Sequence, residues 1–276
     1  MTPLRDLLPT VALAWVLGVC ALPFSPAQAA PCGGNFNAWL QGFGQEAAAQ
    51  GVSQRTIDSA LAGVSPNPQV LSLDRNQHHT FKKSFEQFAA TRVTPFAIKK
   101  GKSMLARYGS VLARIEQQFG VPGPVLVAIW GLESGFGSFT GNLSAVRSLA
   151  TLAHDCRRSE KFTEELIAAL KIIDRGDLSL AEMHGAWAGE LGQTQFLPSS
   201  YLKFAVDFDG NGKRDLIRSA PDVLASTANY LKGYGWRKGE PWGEGSANFR
   251  VLLEWNKSQV YSQTVAYFAT KLAGGN

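Results

Sequence analysis

Dense runs of lysine and arginine with aromatics between them are missing from this chain, although basic residues outnumber acidic ones, 27 to 22. The formal net charge of +5 therefore suits an anionic partner such as nucleic acid, a membrane surface or an acidic wall polymer. The missing basic runs weigh against nucleic acid. Strand-like alternation is sparse, and repeats and low-complexity segments are absent. Only 18% of the 276 residues are charged and 45% are hydrophobic, which excludes a disordered chain and allows a substantial core. The length fits one large domain, or one domain with a helical extension.

Cysteine is also scarce, at three residues. Residues 1–29 read as an export signal: Arg5 gives a positive start, Val11 to Leu22 is the apolar core, and Ala27-Gln28-Ala29 is a small-residue cleavage site. The apolar run is too short and too closely bounded by proline for a comfortable transmembrane span. Val19 before Cys20 does not suit a lipid-modification site. The mature chain, 30–276, is then expected in the periplasm, with no transmembrane span. Removal of Cys20 leaves Cys32 and Cys156, an even pair that in an oxidising compartment reads as one disulfide pinning the N-terminal segment to the core. The alternative is two unrelated thiols. A cysteine hydrolase using Cys156 and His154 is disfavoured, because a two-residue separation points the side chains apart.

Most segments have helical spacing. Asn35 to Ala49 carries Phe36, Leu40 and Phe43, and Ser53 caps a helix holding Ile57 and Leu61. Leu71 to Ala90 contains Phe81, Phe85 and Phe88. Pro95 opens a long amphipathic stretch closed by Gly120. Ser159 caps Glu160 to Arg175, Ser219 and Pro221 start a helix through Leu231, and the last runs from about Gln259 to Leu272. Only Phe204 to Leu216 looks like a small turn or hairpin. The expected fold is mainly α (α+β), with a small β or irregular lobe around 204–216.

Within this helical pattern, Val125 to Glu133 is an apolar segment that ends on one carboxylate. Pro122 and Pro124 suit a first turn, Val125, Ile129 and Leu132 recur at helical spacing, and Gly135 and Gly137 break the helix. A carboxyl there meets partial desolvation and the negative end of the helix dipole, both of which favour the neutral acid. Such a group can protonate an acetal oxygen. The bland reading is a structural glutamate paired with an arginine. Further along, Gly185 to Tyr201 is a glycine-rich loop whose Gln193 and Gln195 offer amides of the kind that recognise sugars; equally, the loop satisfies its own backbone. Asp207-Phe208-Asp209-Gly210-Asn211-Gly212-Lys213-Arg214-Asp215 resembles the front of a calcium loop, although Arg218 takes the twelfth position. Asp207, Asp209, Asn211, Lys213 and Asp215 are the candidate calcium ligands, against an Asx/Gly-rich turn. Asp222 joins them only if the chain folds back.

Several motifs now stand in order: Trp130-Gly131-Leu132-Glu133-Ser134-Gly135-Phe136-Gly137, then Gly192-Gln193-Thr194-Gln195-Phe196 with Pro198-Ser199-Ser200-Tyr201, then Asp207-Phe208-Asp209-Gly210-Asn211-Gly212. With Ala228-Asn229-Tyr230, Gly235-Trp236, Trp255-Asn256 and Tyr261, the chain from about 35 to 272 resembles the membrane-bound lytic transglycosylase B family. The resemblance implies a lysozyme-like fold, with a helical part over about 30–95 and the core over about 96–276. It implies cleavage of the MurNAc-β-1,4-GlcNAc bond of peptidoglycan strands with formation of a 1,6-anhydro-MurNAc end. Glu133 matches the single acid/base; Ser134, Gln195, Tyr230, Asn256 and Tyr261 match groups of the sugar cleft. The chain departs from the family at Ala186, where a serine near the reacting sugar is known, and at Trp255, where tyrosine is common.

Ordinary glycosidases use two carboxylates, and this chain offers one convincing candidate. One suffices if protonated Glu133 serves the glycosidic oxygen and its carboxylate then takes the proton of the sugar's own C6 hydroxyl, which closes on C1. No cofactor is required; calcium is at most structural, and the chain is expected to be a monomer. Glu190 stands where the family often has alanine; it is the rival second carboxylate and is assigned a solvated or structural role. The alternatives are a muramidase of the same fold and a non-catalytic peptidoglycan-binding protein.

Overall fold

The computed structural model describes residues 31–76 and 83–275. The expected export signal lies outside the described residues, as does Phe81. No helix among the described residues is long and apolar enough to cross a membrane.

Many helices begin where side chains can satisfy their free N–H groups; Ser159, expected as a cap, instead donates its Oγ to Ala153 O at 2.6 Å. Asn35 caps α1 (Phe36–Ala49), Ser53 caps α2 (Gln54–Leu61) and Asn67 caps α3 (Pro68–Arg75). Ser84 and Gln87 form a capping box on α4 (Phe85–Arg92). The stretch expected as one helix over 71–90 thus holds two separate helices. Thr94 caps α5 (Pro95–Arg107), and the chain turns at Tyr108 into α6 (Gly109–Phe119), which splits the single long helix expected over 95–119. Gly120 ends α6 in the left-handed conformation.

At the centre lies α7 (Gly123–Ser134), with Val125 to Trp130 and Leu132 all buried. The segment expected as apolar up to its carboxylate is apolar on every side, as a helix enclosed by others must be. It packs against α5, α6, α11 (Ala220–Gly233) and α13 (Gln259–Leu272). Gly131 permits the approach of α13, since a methyl group there would come within 2.9 Å of the Phe268 ring. Three further pieces complete the core: α8 (Ala145–His154) on α9 (Ser159–Asp174), α10 (Pro198–Phe204) on α9, and α12 (Ala247–Trp255) on α13.

Extended structure is confined to β1 (Leu143–Ser144) and β2 (His184–Gly185), paired antiparallel with Leu143 opposite Gly185, and to bridges from Leu191 to Gly185 and Phe196. Of the turn or hairpin expected over 204–216 the structure has the irregular turn, because backbone N–H groups go to aspartate side chains rather than to a partner strand. The fold class is mainly α with a small irregular lobe.

Cys32 and Cys156 form a disulfide with Cα atoms 5.2 Å apart, tying the start of the described chain to the segment just after α8. The link spans 124 residues. Replacing both cysteines by serine is expected to cost about 2–5 kcal/mol of unfolding free energy, read as a lower urea midpoint with a steeper slope, since the unlinked chain exposes more surface on unfolding. An unshifted midpoint would show that the bridge adds nothing.

Candidate active site

Glu133 is the penultimate residue of α7, and the chain turns sharply after it. Gly135, Phe136 and Gly137 are three consecutive residues with positive φ (60°, 63° and 75°). A side chain at 137 would collide with Gln193, whose Oε1 accepts the Trp130 indole N–H at 2.8 Å while its Nε2 donates to Ile217 O at 2.8 Å. Gln193, expected as a sugar-binding amide, is therefore spent on locking α7 to the loop beyond it.

The Glu133 carboxyl receives two neutral donors. Tyr261 Oη donates to Oε1 at 2.6 Å, and Trp255 Nε1 donates to the same oxygen at 3.0 Å. The nearby Arg92 guanidinium donates instead to Leu132 O at 2.9 Å, so no ion pair ties up the acid. Burial pushes the carboxyl above the ordinary carboxylate range; the Tyr261 and Trp255 hydrogen bonds oppose this, Glu190 adds to the rise, and Arg92 opposes it weakly. Burial and the Glu133 charge push the Tyr261 phenol far up as well, so it remains a donor.

Glu133 opens onto a cavity of about 370 Å³, a size suited to a small ligand. Its walls include Gln195, Tyr230, Trp255 and Asn256, brought together from the 185–196 loop, α11 and the end of α12. Gln195 holds a strained φ of 54° and donates from Nε2 to Gly192 O at 2.7 Å, leaving its carbonyl oxygen without a hydrogen bond among the described residues. Tyr230 presents its ring, since its hydroxyl donates to Glu254 O at 2.9 Å. Tyr261 stands behind Glu133 as its hydrogen-bond partner and not on the wall. Ser134 does not line this cavity: it is buried, and its Oγ accepts the Gly137 N–H at 2.9 Å, bracing the turn. A second concavity on the side of Arg92, Ser138 and Phe139 also has Glu133 on its wall.

Sequence reasoning missed Arg158, Lys161 and Trp187, which line the first cavity. Trp187 lies within the glycine-rich loop already singled out, whereas no local pattern marks Arg158 and Lys161 at the start of α9, which tertiary packing brings to the cavity. Glu190, expected in a solvated or structural role, lines it too while accepting the Ala188 N–H at 3.0 Å. Trp255 was visible as a departure from the family, but not as a donor to the acid.

The acidic loop departs from the expected ligand set. Asp207, Asp209 and Asp222 bring carboxylate oxygens within 4.8 Å of one another, whereas Asp215 is engaged by Arg218 Nε at 2.6 Å and by the Ile217 and Arg218 N–H groups. The Asn211 amide oxygen accepts the Lys213 N–H and stays in the turn. Asp222 is buried, and burial, with Asp209's charge adding, pushes its carboxyl up. Backbone N–H groups already serve Asp207 and Asp222, and the three converging carboxylates are hard oxygen donors of the kind that suit a cation such as Ca²⁺.

A mainly helical, lysozyme-like scaffold carrying one enclosed acid beside a cavity defines a class already met in solved structures. The chain resembles SltB3 from Pseudomonas aeruginosa in complex with NAG-anhNAM-pentapeptide, with 35% identity, a TM-score of 0.82, and 88% of this chain and 80% of that one covered. It also resembles the Escherichia coli lytic transglycosylase Slt35 in complex with calcium, with 25% identity, a TM-score of 0.77, and 89% and 96% covered. Residues 35–247 match the transglycosylase SLT domain, and the chain belongs to that family. Over 149 residues, 54% of the chain, it is 36% identical to membrane-bound lytic murein transglycosylase B of Escherichia coli (strain K12); the match spans 41% of that relative.

Replacing Tyr261 by phenylalanine removes a hydrogen bond that favours ionised Glu133. The Glu133 titration midpoint is expected to move further up, followed by NMR of its carboxyl carbon. A midpoint that stays or falls would mean that the hydroxyl does not stabilise the anion.

Proposed function

We propose that this protein cleaves the MurNAc-β-1,4-GlcNAc bond of peptidoglycan and leaves a 1,6-anhydro-MurNAc end, with Glu133 as the single acid and base. The observation that carries the reading is the Glu133 carboxyl itself. It is largely buried, pushed by that burial toward its neutral form, held by two neutral donors, and on the wall of the cavity that Gln195, Tyr230 and Asn256 line. In that state it gives its proton to the glycosidic oxygen as the bond breaks. The carboxylate that remains is stabilised by Tyr261 and Trp255. It then takes the proton of the C6 hydroxyl, whose oxygen closes on C1, so the acid is restored and no water is consumed. The substrate's N-acetyl group steadies C1 in between. Gln195, Asn256 and the Tyr230 ring place the sugar.

Family membership and the SltB3 complex with NAG-anhNAM-pentapeptide support this substrate class. The export-like N-terminal sequence and the disulfide support a periplasmic location. Asp207, Asp209 and Asp222 would hold a structural Ca²⁺ that relieves their repulsion, away from the chemistry.

Glu133→Gln is expected to lower muropeptide release from purified sacculi by about 10²–10⁴-fold while glycan binding persists. Mass spectrometry should show products lighter by one water than hydrolysis products; reducing ends would instead indicate a muramidase. Calcium is expected to raise the thermal midpoint of the parent protein and leave that of Asp209→Asn unmoved. Equal shifts in both would place the ion elsewhere.

A further inference from the structure

The ring-closure chemistry leaves one carboxyl of the cavity unused. Glu190 sits on a tight turn fixed by the Gly185–Leu191 bridge and by the Ala186 N–H donating to Glu190 O at 3.1 Å. Its side chain folds back so that Oε2 accepts the Ala188 N–H at 3.0 Å, while Oε1 takes no hydrogen bond among the described residues. The residue lines the same cavity as Glu133, and no ion pair neutralises it among the described residues. Arg158, on the same wall, is held by Asp74. Glu165 behind it accepts from Ser199 N and Oγ at 2.9 and 2.7 Å.

We propose that Glu190 is a second functional carboxylate of this cleft, an anion that stabilises the positive charge developing on the sugar ring as the glycosidic bond breaks. The inference rests on the glycan-cleaving role of Glu133. It requires no new bond and no proton transfer to Glu190: the leaving oxygen is still protonated by Glu133, and C1 is still captured by the C6 hydroxyl. A fixed charge in an enclosed cavity, already oriented by its backbone partner, acts on an oxocarbenium-like centre without reorganising.

The surroundings separate the two carboxyls. Burial raises both, but Glu190 has backbone N–H partners and Lys161 to favour its anion, with Glu165 opposing. Glu133 has Tyr261 and Trp255 as neutral donors, Arg92 acting weakly, and Glu190 as a repelling neighbour. The Glu190 charge thus helps Glu133 keep its proton, while its own partners favour its anion, so the two acids differ by environment.

Glu190→Gln tests this, because the amide oxygen still accepts the Ala188 N–H while the charge is gone. On purified glycan strands kcat is expected to fall about tenfold or more with KM near the parent value. The alkaline limb of the pH–rate profile should move to lower pH, since Glu133 loses its like-charged neighbour. Glu190→Asp should recover part of the rate. Parental kcat and an unmoved limb in Glu190→Gln would reduce Glu190 to a turn brace and overturn the proposal. If thermal melting shows that Glu190→Gln does not fold, the Glu190→Asp and Glu190→Asn pair decides: a slower Asn variant supports the charge, equal rates overturn it. A parent protein that yields no anhydro-ended product would be a failure of the Glu133 reading, not of this one.

Discussion

A carboxyl group surrounded by protein, yet met by a phenol and an indole instead of a cation, sets the terms for the whole molecule. Had Arg92 reached Glu133, the pair would have favoured the carboxylate and there would be no proton to give. Arg92 is diverted to the Leu132 carbonyl. Tyr261 and Trp255 are strong enough donors to receive the anion after proton loss but too weak to overcome burial before it. An acid that must also act as base needs both halves of that balance.

Maintaining the balance takes a rigid frame. Helix α7 is apolar on all sides and sits among four others, so its end cannot drift toward solvent. Beyond Glu133 the three left-handed residues turn the chain at once, and Gln193 ties the Trp130 side chain to the Ile217 carbonyl. The strained φ of Phe136 and Gln195 falls beside the cavity, where packing on both sides holds the backbone in place. Glu190 is braced by its own turn in the same way, so both carboxyls reach the cavity from fixed backbone.

Electrostatic crowding is handled differently at the acidic loop. There Asp207 and Asp222 each collect backbone N–H groups, so side chains take the place that a second strand has in a hairpin. The sequence left a turn or a hairpin open here. Aspartates that bond to their own backbone compete with strand pairing and win here. The recruitment of Asp222, fixed at the start of α11, and the diversion of Asp215 to Arg218 both depend on how that helix folds back.

Much was legible before the fold was known. Helix starts at Asn35, Ser53, Pro95 and Ser219, the arrest of α7 by Gly135, the pairing of Cys32 with Cys156, and Glu133 as the unusual acid all follow from local rules: capping, glycine's freedom, apolar spacing and cysteine parity. Tertiary structure alone decided what stands around that acid. The division of 71–90 and 95–119 into separate helices, the structural use of Gln193 and Ser134, the donors Tyr261 and Trp255, and the arrival of Glu190 and Lys161 at one cavity join residues far apart in the chain. Local pattern reports the conformation each segment prefers; a proton's affinity for one carboxyl depends on every charge and dipole packed around it, and those neighbours are chosen only when the helices come together.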